Sequence, residues 1–208
     1  MDFFEEHVLF HFAYGQAMTS WAHLEHALVE IAASVLPPSS RKPLVLGYYA
    51  IENFRSKLNF CKAVVKAKFG ADARFSEWQA LEQKLLAASK QRNKLAHWSE
   101  INYVGGTPGR RNALVNWVHE NYATSAVIEI DRPAPAAAMC VGDVALLRHT
   151  FANLTYQLMN LADCLCDREL RFPELATQFG PSSVDEAREQ IWRTMHAYLS
   201  ESKRAAGG

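Results

Sequence analysis

Apolar residues recur at steps of three and four along most of this chain, and that spacing predicts a fold built from long helices. One such stripe consists of Trp78, Leu81, Leu85, Ala88 and Leu95. Arg92 interrupts it where an ordinary helix would carry an apolar residue, and a charge there needs a partner. Prolines and glycines separate the helical segments, and Gly15 marks where the first could break. The predicted helices are residues 3–36, 44–69, 76–97, 144–170 and 183–200.

The segment between the third and fourth predicted helices has a different pattern. Short runs rich in β-branched and aromatic residues flank a turn cluster at 105–109. The predicted strands are residues 101–104, 113–118 and 126–130. We therefore expect a mainly α fold, an antiparallel bundle of four or five helices with a small β-like insert at about 101–132. Residues 1–171 would form the bundle, and residues 172–208 a linker, a C-terminal helix and a flexible tail.

The charge balance excludes one broad class of protein. The 208 residues include 22 Lys and Arg and 22 Asp and Glu, so the formal net charge is zero. A chain of this kind is not a bulk polyanion binder, and any polyanion site must be local. The four cysteines lack CxxC spacing, so we expect reduced thiols in a cytoplasmic protein. The acidic N-terminus does not match a signal peptide, and no run of about 18 apolar residues predicts a membrane span.

The end of the third predicted helix carries a candidate catalytic group, Arg92, Asn93 and His97. Asn93 and His97 are four residues apart and share a face, and Arg92 lies about 140° from His97 around the axis but has a long side chain. An imidazole is the usual general acid or base near neutral pH, a guanidinium suits phosphate oxygens, and an amide can orient either group. Together they suit attack of a ribose 2′-hydroxyl on the adjacent phosphate without a metal ion.

One imidazole and one guanidinium supply only half of an in-line phosphotransfer site. A second copy of the chain, facing the first across a two-fold axis, would supply the other half. We therefore expect cleavage of RNA by a homodimer. Lys94, Arg110 and Arg111 are the candidate substrate-binding residues, because a basic turn with an aromatic residue nearby suits single-stranded RNA.

The motif Arg92-Asn93-x-x-Ala96-His97, at the end of the third helix of an all-α bundle, resembles the signature of the HEPN superfamily. Two further segments are similar more loosely, namely 21–25 and 54–58. The resemblance covers roughly residues 15 to 100 and the helix from Val144, and it leaves out the β-like insert and the C-terminal helix.

The resemblance implies a dimeric α-bundle that needs no cofactor. The catalytic members of this superfamily are metal-independent endoribonucleases of toxin–antitoxin, phage-defence and RNA-processing systems. Their functional residues correspond by position to Arg92, Asn93 and His97 here. The partners that these systems imply are RNA, a second copy of the chain, and an antitoxin or a nucleotidyltransferase-like protein. Many other members are not catalytic and bind RNA, nucleotides or proteins.

Two alternatives to a nuclease stay open at this point. The first is a non-catalytic binding module of the same fold. The second is a helical interaction protein in which Arg92 is held in a buried ion pair. Glu25 and Glu52 lie on helices expected to neighbour the third, and each is a candidate counter-charge for that arginine.

Two histidine pairs have a helical spacing that could bind a metal ion. His7 and His11 are four residues apart, and His23 and His26 are three apart. No carboxylate-x-x-His partner on another helix accompanies either pair, as a metal centre in a helical bundle would need. The sequence therefore predicts no metal site.

Overall fold

The computed structural model describes residues 3–103, 107, 112–115, 129–130, 134, 136–173 and 180–206. These residues are mainly helical, as predicted, and a small sheet lies between the fourth and fifth α-helices. The helices are α1 (Phe3–Val35), α2 (Arg41–Tyr49), α3 (Phe54–Phe69), α4 (Ala73–His97), α5 (Val141–Leu165) and α6 (Val184–Ala206). The strands are β1 (Ser99–Tyr103), β2 (Asn112–Val115), β3 (Glu129–Ile130) and β4 (Met139–Cys140).

The first predicted helix is confirmed as one element, and Gly15 does not break it. A methyl group added at Gly15 would meet no atom within 4 Å, so the glycine is not required by close packing. The helix ends just before Pro37 and Pro38, whose rings cannot continue it.

The second predicted helix, residues 44–69, is wrong as a single element, because the structure divides it into α2 and α3. The side chain of Asn53 accepts a hydrogen bond from the backbone N–H of Ser56 at 2.7 Å, and Asn53 itself is extended. An asparagine in this position satisfies an orphan donor in the first turn of the following helix. A new helix therefore begins at Phe54.

Helix α4 begins at Ala73, so the predicted start at residue 76 is wrong. Asp72 provides the acceptor instead, because its Oδ1 receives the backbone N–H of Arg74 at 2.8 Å. The predicted end at His97 is confirmed. The predicted apolar stripe is buried at every one of its positions, Trp78, Leu81, Leu85, Ala88 and Leu95.

The predicted β-like insert is confirmed by β1, β2 and β3, and these strands form one sheet with β4, which lies beyond the insert, in the order β3-β1-β2-β4. Strand β1 pairs antiparallel with β2, with Ile101 opposite Ala113, and pairs parallel with β3. Strand β4, which was not predicted, pairs antiparallel with β2. The predicted strand ends at 104, 116–118 and 126–128 lie outside the described residues. Buried side chains of the sheet region form one cluster: Ile101, Tyr103, Ala113, Val115, Ala134, Ala138 and Cys140.

Helix α5 begins at Val141, earlier than predicted, and ends at Leu165 rather than Leu170. Asp167 has a φ of 53°, and the backbone N–H of Arg168 donates to the carbonyl of Asp163 at 2.9 Å. A left-handed residue followed by such a bond terminates a helix and satisfies its last carbonyls. The last predicted helix is confirmed as α6 and extends further, to Ala206.

The chain forms two compact units, each built from separate stretches of sequence. The first unit comprises Met1–Thr19, Gln91–His149 and Gly180–Gly208. The second unit comprises Ser20–Lys90 and Thr150–Phe179. Neither unit begins or ends at the predicted boundary between residues 171 and 172. The predicted division into a bundle and a C-terminal segment stays a prediction.

Candidate functional site

The residues predicted to cleave RNA lie at the C-terminal end of α4, in the first unit. Asn93 and His97 are exposed, and Arg92 is partly exposed. The Nη1 atom of Arg92 donates to Oδ1 of Asn93 at 3.5 Å, a long hydrogen bond between neighbours. Because Asn93 and His97 are four residues apart on a helix, they share one face. The structure thus leaves the amide and the imidazole accessible to a ligand on the same side of the helix.

Lys94, a predicted substrate-binding residue, contacts the ring of Trp98. Its Nζ lies 5.0 Å from the ring centroid, and the backbone N–H of Trp98 donates to the carbonyl of Lys94 at 2.9 Å. A cation over an aromatic face at a partly exposed site gains about 0.5–1 kcal/mol. This contact is weak, so the Lys94 ammonium could leave the Trp98 ring to bind a phosphate. The other two predicted contacts, Arg110 and Arg111, lie outside the described residues.

Glu25, a candidate counter-charge for Arg92, is satisfied within the second unit. Its Oε2 accepts a hydrogen bond from Nζ of Lys57 at 3.2 Å, and its Oε1 accepts one from Nε1 of Trp21 at 3.1 Å. Lys57 is 7% exposed, so its ammonium requires this carboxylate. The other candidate, Glu52, is exposed.

A second group of polar side chains lies in the first unit, where α1 meets β1. His7 and His11 from α1 face the carboxylate of Glu100 from β1. His7 Nδ1 lies 3.3 Å from Oε1, and His11 Nε2 lies 3.2 Å from Oε2. The amide oxygen of the fully buried Asn112 is also 3.3 Å from His7 Nδ1. The group could not be predicted from helical spacing, because Glu100 lies on a strand and is distant in sequence from both histidines.

The other histidine pair, His23 and His26, has no such partner among the residues that the structure describes. In the described part of the chain, no carboxylate or thiol joins His23 and His26 in a group of three close metal-binding donors. Both histidines line a cavity of about 590 Å³ in the second unit, together with Tyr156 and Arg171. His26 Nδ1 lies 3.1 Å from the hydroxyl of Tyr49.

The four cysteines are free thiols in the structure. Cys61 and Cys140 are buried, and Cys164 and Cys166 are partly exposed. Burial raises the pKa of the Cys61 thiol to about 12, and the thiol donates to the carbonyl of Leu28 at 3.4 Å. A thiol with such a pKa is a packing group and not a nucleophile at neutral pH.

Comparisons of the chain with protein-family models, with curated proteins and with solved structures found no match. The resemblance to the HEPN superfamily therefore stays a prediction. Among the residues described, no helix has the length and apolar content that crossing a bilayer requires.

Proposed function

We propose that the chain is a metal-independent endoribonuclease of the HEPN type, active as a homodimer with the HEPN-like antiparallel bundle as its scaffold. The observation that supports this most is the exposure of Asn93 and His97, with Arg92 partly exposed beside them, at the end of a helix. Arg92 is partly exposed at a position of the helical stripe whose other members, including Leu95, are buried.

The proposal assigns a role to each of the three side chains. His97 removes the proton from the ribose 2′-hydroxyl or donates a proton to the leaving 5′-oxygen. The 2′-oxygen forms a bond to phosphorus as the bond to the 5′-oxygen breaks, which yields a cyclic phosphate end and a 5′-hydroxyl end. Arg92 stabilises the extra negative charge on the phosphate oxygens, and Asn93 orients the phosphate or the imidazole.

Two copies of the motif are needed because the reaction requires both an acid and a base. One imidazole cannot act as both in a single in-line step, so a two-fold-related His97 would take the second role. Lys94, with Arg110 and Arg111, would hold the RNA backbone near the site. A cytoplasmic toxin or phage-defence role, with an antitoxin or a nucleotidyltransferase-like partner, belongs to the same proposal and is supported by the resemblance alone.

The test is cleavage of labelled RNA by the purified chain in the presence of EDTA. We expect wild-type protein to generate new RNA ends, and His97→Ala to reduce the rate by about 100-fold or more, the usual contribution of a general acid or base. His23→Ala is the matched control, because His23 is also exposed and helical but lies in the second unit. RNA binding without cleavage by the wild-type chain would support the non-catalytic module instead.

Mixing the two proteins tests the shared site. If both imidazoles are required, only dimers of two wild-type chains are active. After subunit exchange, an equal mixture of wild type and His97→Ala should therefore have about one quarter of the activity of wild type at the same total concentration. Retention of about one half would mean that each chain works alone and would contradict the composite site.

A further inference from the structure

We propose that His7, His11 and Glu100 form a binding site for one divalent transition-metal ion, with Zn²⁺ the ion that fits the donor set best. All three residues belong to the first unit. The inference is independent of RNA cleavage, and the ion is assigned no step in that reaction.

Local structure supplies the arrangement of the donors. His7 and His11 are one turn apart on α1, so both imidazoles project from the same face. Their ring centroids are 4.4 Å apart and their planes are nearly perpendicular, at 81°. Glu100 comes from β1, whose pairing with β2 fixes its position, and it presents one carboxylate oxygen to each imidazole. Two imidazoles and a carboxylate are the protein ligands of open, three-ligand zinc sites.

The donor atoms of the three residues lie close enough together to share one ion. The observed separations are 3.3 Å from His7 Nδ1 to Glu100 Oε1 and 3.2 Å from His11 Nε2 to Glu100 Oε2. One donor atom from each of the three residues lies within 4.8 Å of the others.

Polar atoms of the cluster lack the hydrogen bonds that burial normally requires. Oε1 of Glu100 is buried and, despite its distance to His7, accepts no well-aligned hydrogen bond from the residues that the structure describes. Nδ2 of Asn112 is buried as well and has no acceptor among them. A buried carboxylate oxygen without a donor is costly, and a bound cation would offset that cost. Oδ1 of Asn112 accepts a hydrogen bond from Nδ1 of His7 at 3.3 Å, so an ion bound at that nitrogen would replace its proton.

The charge of the donor set suits a divalent ion, because the Glu100 carboxylate supplies a negative charge and metal-bound imidazoles are neutral ligands. The site is also accessible, because His7, His11 and Glu100 are each partly or largely exposed.

Binding of Zn²⁺ and of Co²⁺ to the full-length, chelator-treated chain tests the proposal. Calorimetry should show one ion per chain, and bound Co²⁺ should give the intense visible absorption of a tetrahedral site. Because an ion that binds only the folded state stabilises it, Zn²⁺ in about 100-fold excess over Kd should raise Tm by about 5–10 °C.

His11→Ala and Glu100→Gln should each weaken binding by about 10-fold or more, since each removes or neutralises one of three ligands. His11 is 52% exposed in its side chain, so its replacement should leave the fold intact, which circular dichroism can verify. His23→Ala is the matched control and should bind like the wild type. Equal affinity in the wild type, His11→Ala and Glu100→Gln, or no stoichiometric binding of either ion, would overturn the proposal.

Discussion

Arg171 neutralises a buried carboxylate in the second unit, and its removal should have a measurable cost. Asp163 is 1% exposed, and Arg171 Nε lies 2.8 Å from its Oδ2 and 3.0 Å from its Oδ1. The backbone N–H of Arg171 also donates to Oδ2, at 3.1 Å. Removing one partner of a fully buried ion pair costs about 3–5 kcal/mol. Because Arg171 is 40% exposed and the backbone donor would persist, we expect Arg171→Ala to lower the free energy of unfolding by about 2–3 kcal/mol.

Urea denaturation followed by circular dichroism measures this loss. Arg168→Ala is the matched control, because Arg168 is 59% exposed and its Nη2 is 3.8 Å from the same carboxylate, so we expect a loss of about 1 kcal/mol or less. In an Asp163→Asn background, Arg171→Ala should cost about 1–2 kcal/mol less, since no buried charge is left unpaired. Equal losses for the two arginine variants, or the same cost in both backgrounds, would refute the assigned ion pair.

Three further predictions concern packing, pH and thiol reactivity. Gly142→Ala should destabilise the chain by about 1–3 kcal/mol in urea denaturation, because the added methyl would lie 2.5 Å from Cγ1 and 2.6 Å from the carbonyl oxygen of Val184. Gly15→Ala places its methyl in open space and should instead stabilise α1 by about 0.5–1 kcal/mol. A larger loss of stability for Gly15→Ala than for Gly142→Ala would contradict both. Burial, and then the nearby positive charge of Arg148, lowers the pKa of His149 in the folded chain. The unfolded chain therefore binds the proton at higher pH, and the free energy of unfolding should fall as the pH drops below about 6.5. An equally steep loss of stability in His149→Gln would contradict this. Iodoacetamide at pH 8 should leave Cys61 unmodified in the folded chain and modify it in urea, as judged by mass spectrometry, because burial raises its pKa to about 12.

The long helices could be predicted because each repeats its apolar spacing over many turns. The break between α2 and α3 could not, because residues 50–53 contain no glycine or proline and the new helix depends on one side-chain bond from Asn53. The end of α5 was equally hidden, since Asp167 adopts a left-handed conformation that favours glycine. Strand β4 is two residues long, too short for any periodic pattern.

The two candidate sites also differ in how far they could be predicted from the sequence. Arg92, Asn93 and His97 could be grouped from the sequence because they lie within one stretch of helix, where spacing alone fixes their relative directions. The carboxylate that joins His7 and His11 could not, because Glu100 approaches them only through the placement of β1 against α1. Local geometry is readable from residue spacing, whereas contacts between distant segments require the folded chain.

The most direct measurement of the proposed activity is the rate at which this chain cuts end-labelled RNA when every divalent ion has been removed by EDTA. The proposal predicts fragments with cyclic phosphate and 5′-hydroxyl ends from the wild type and from His23→Ala, and a rate lower by about 100-fold or more from His97→Ala. Undiminished cutting by a folded His97→Ala protein would contradict the role assigned to that imidazole.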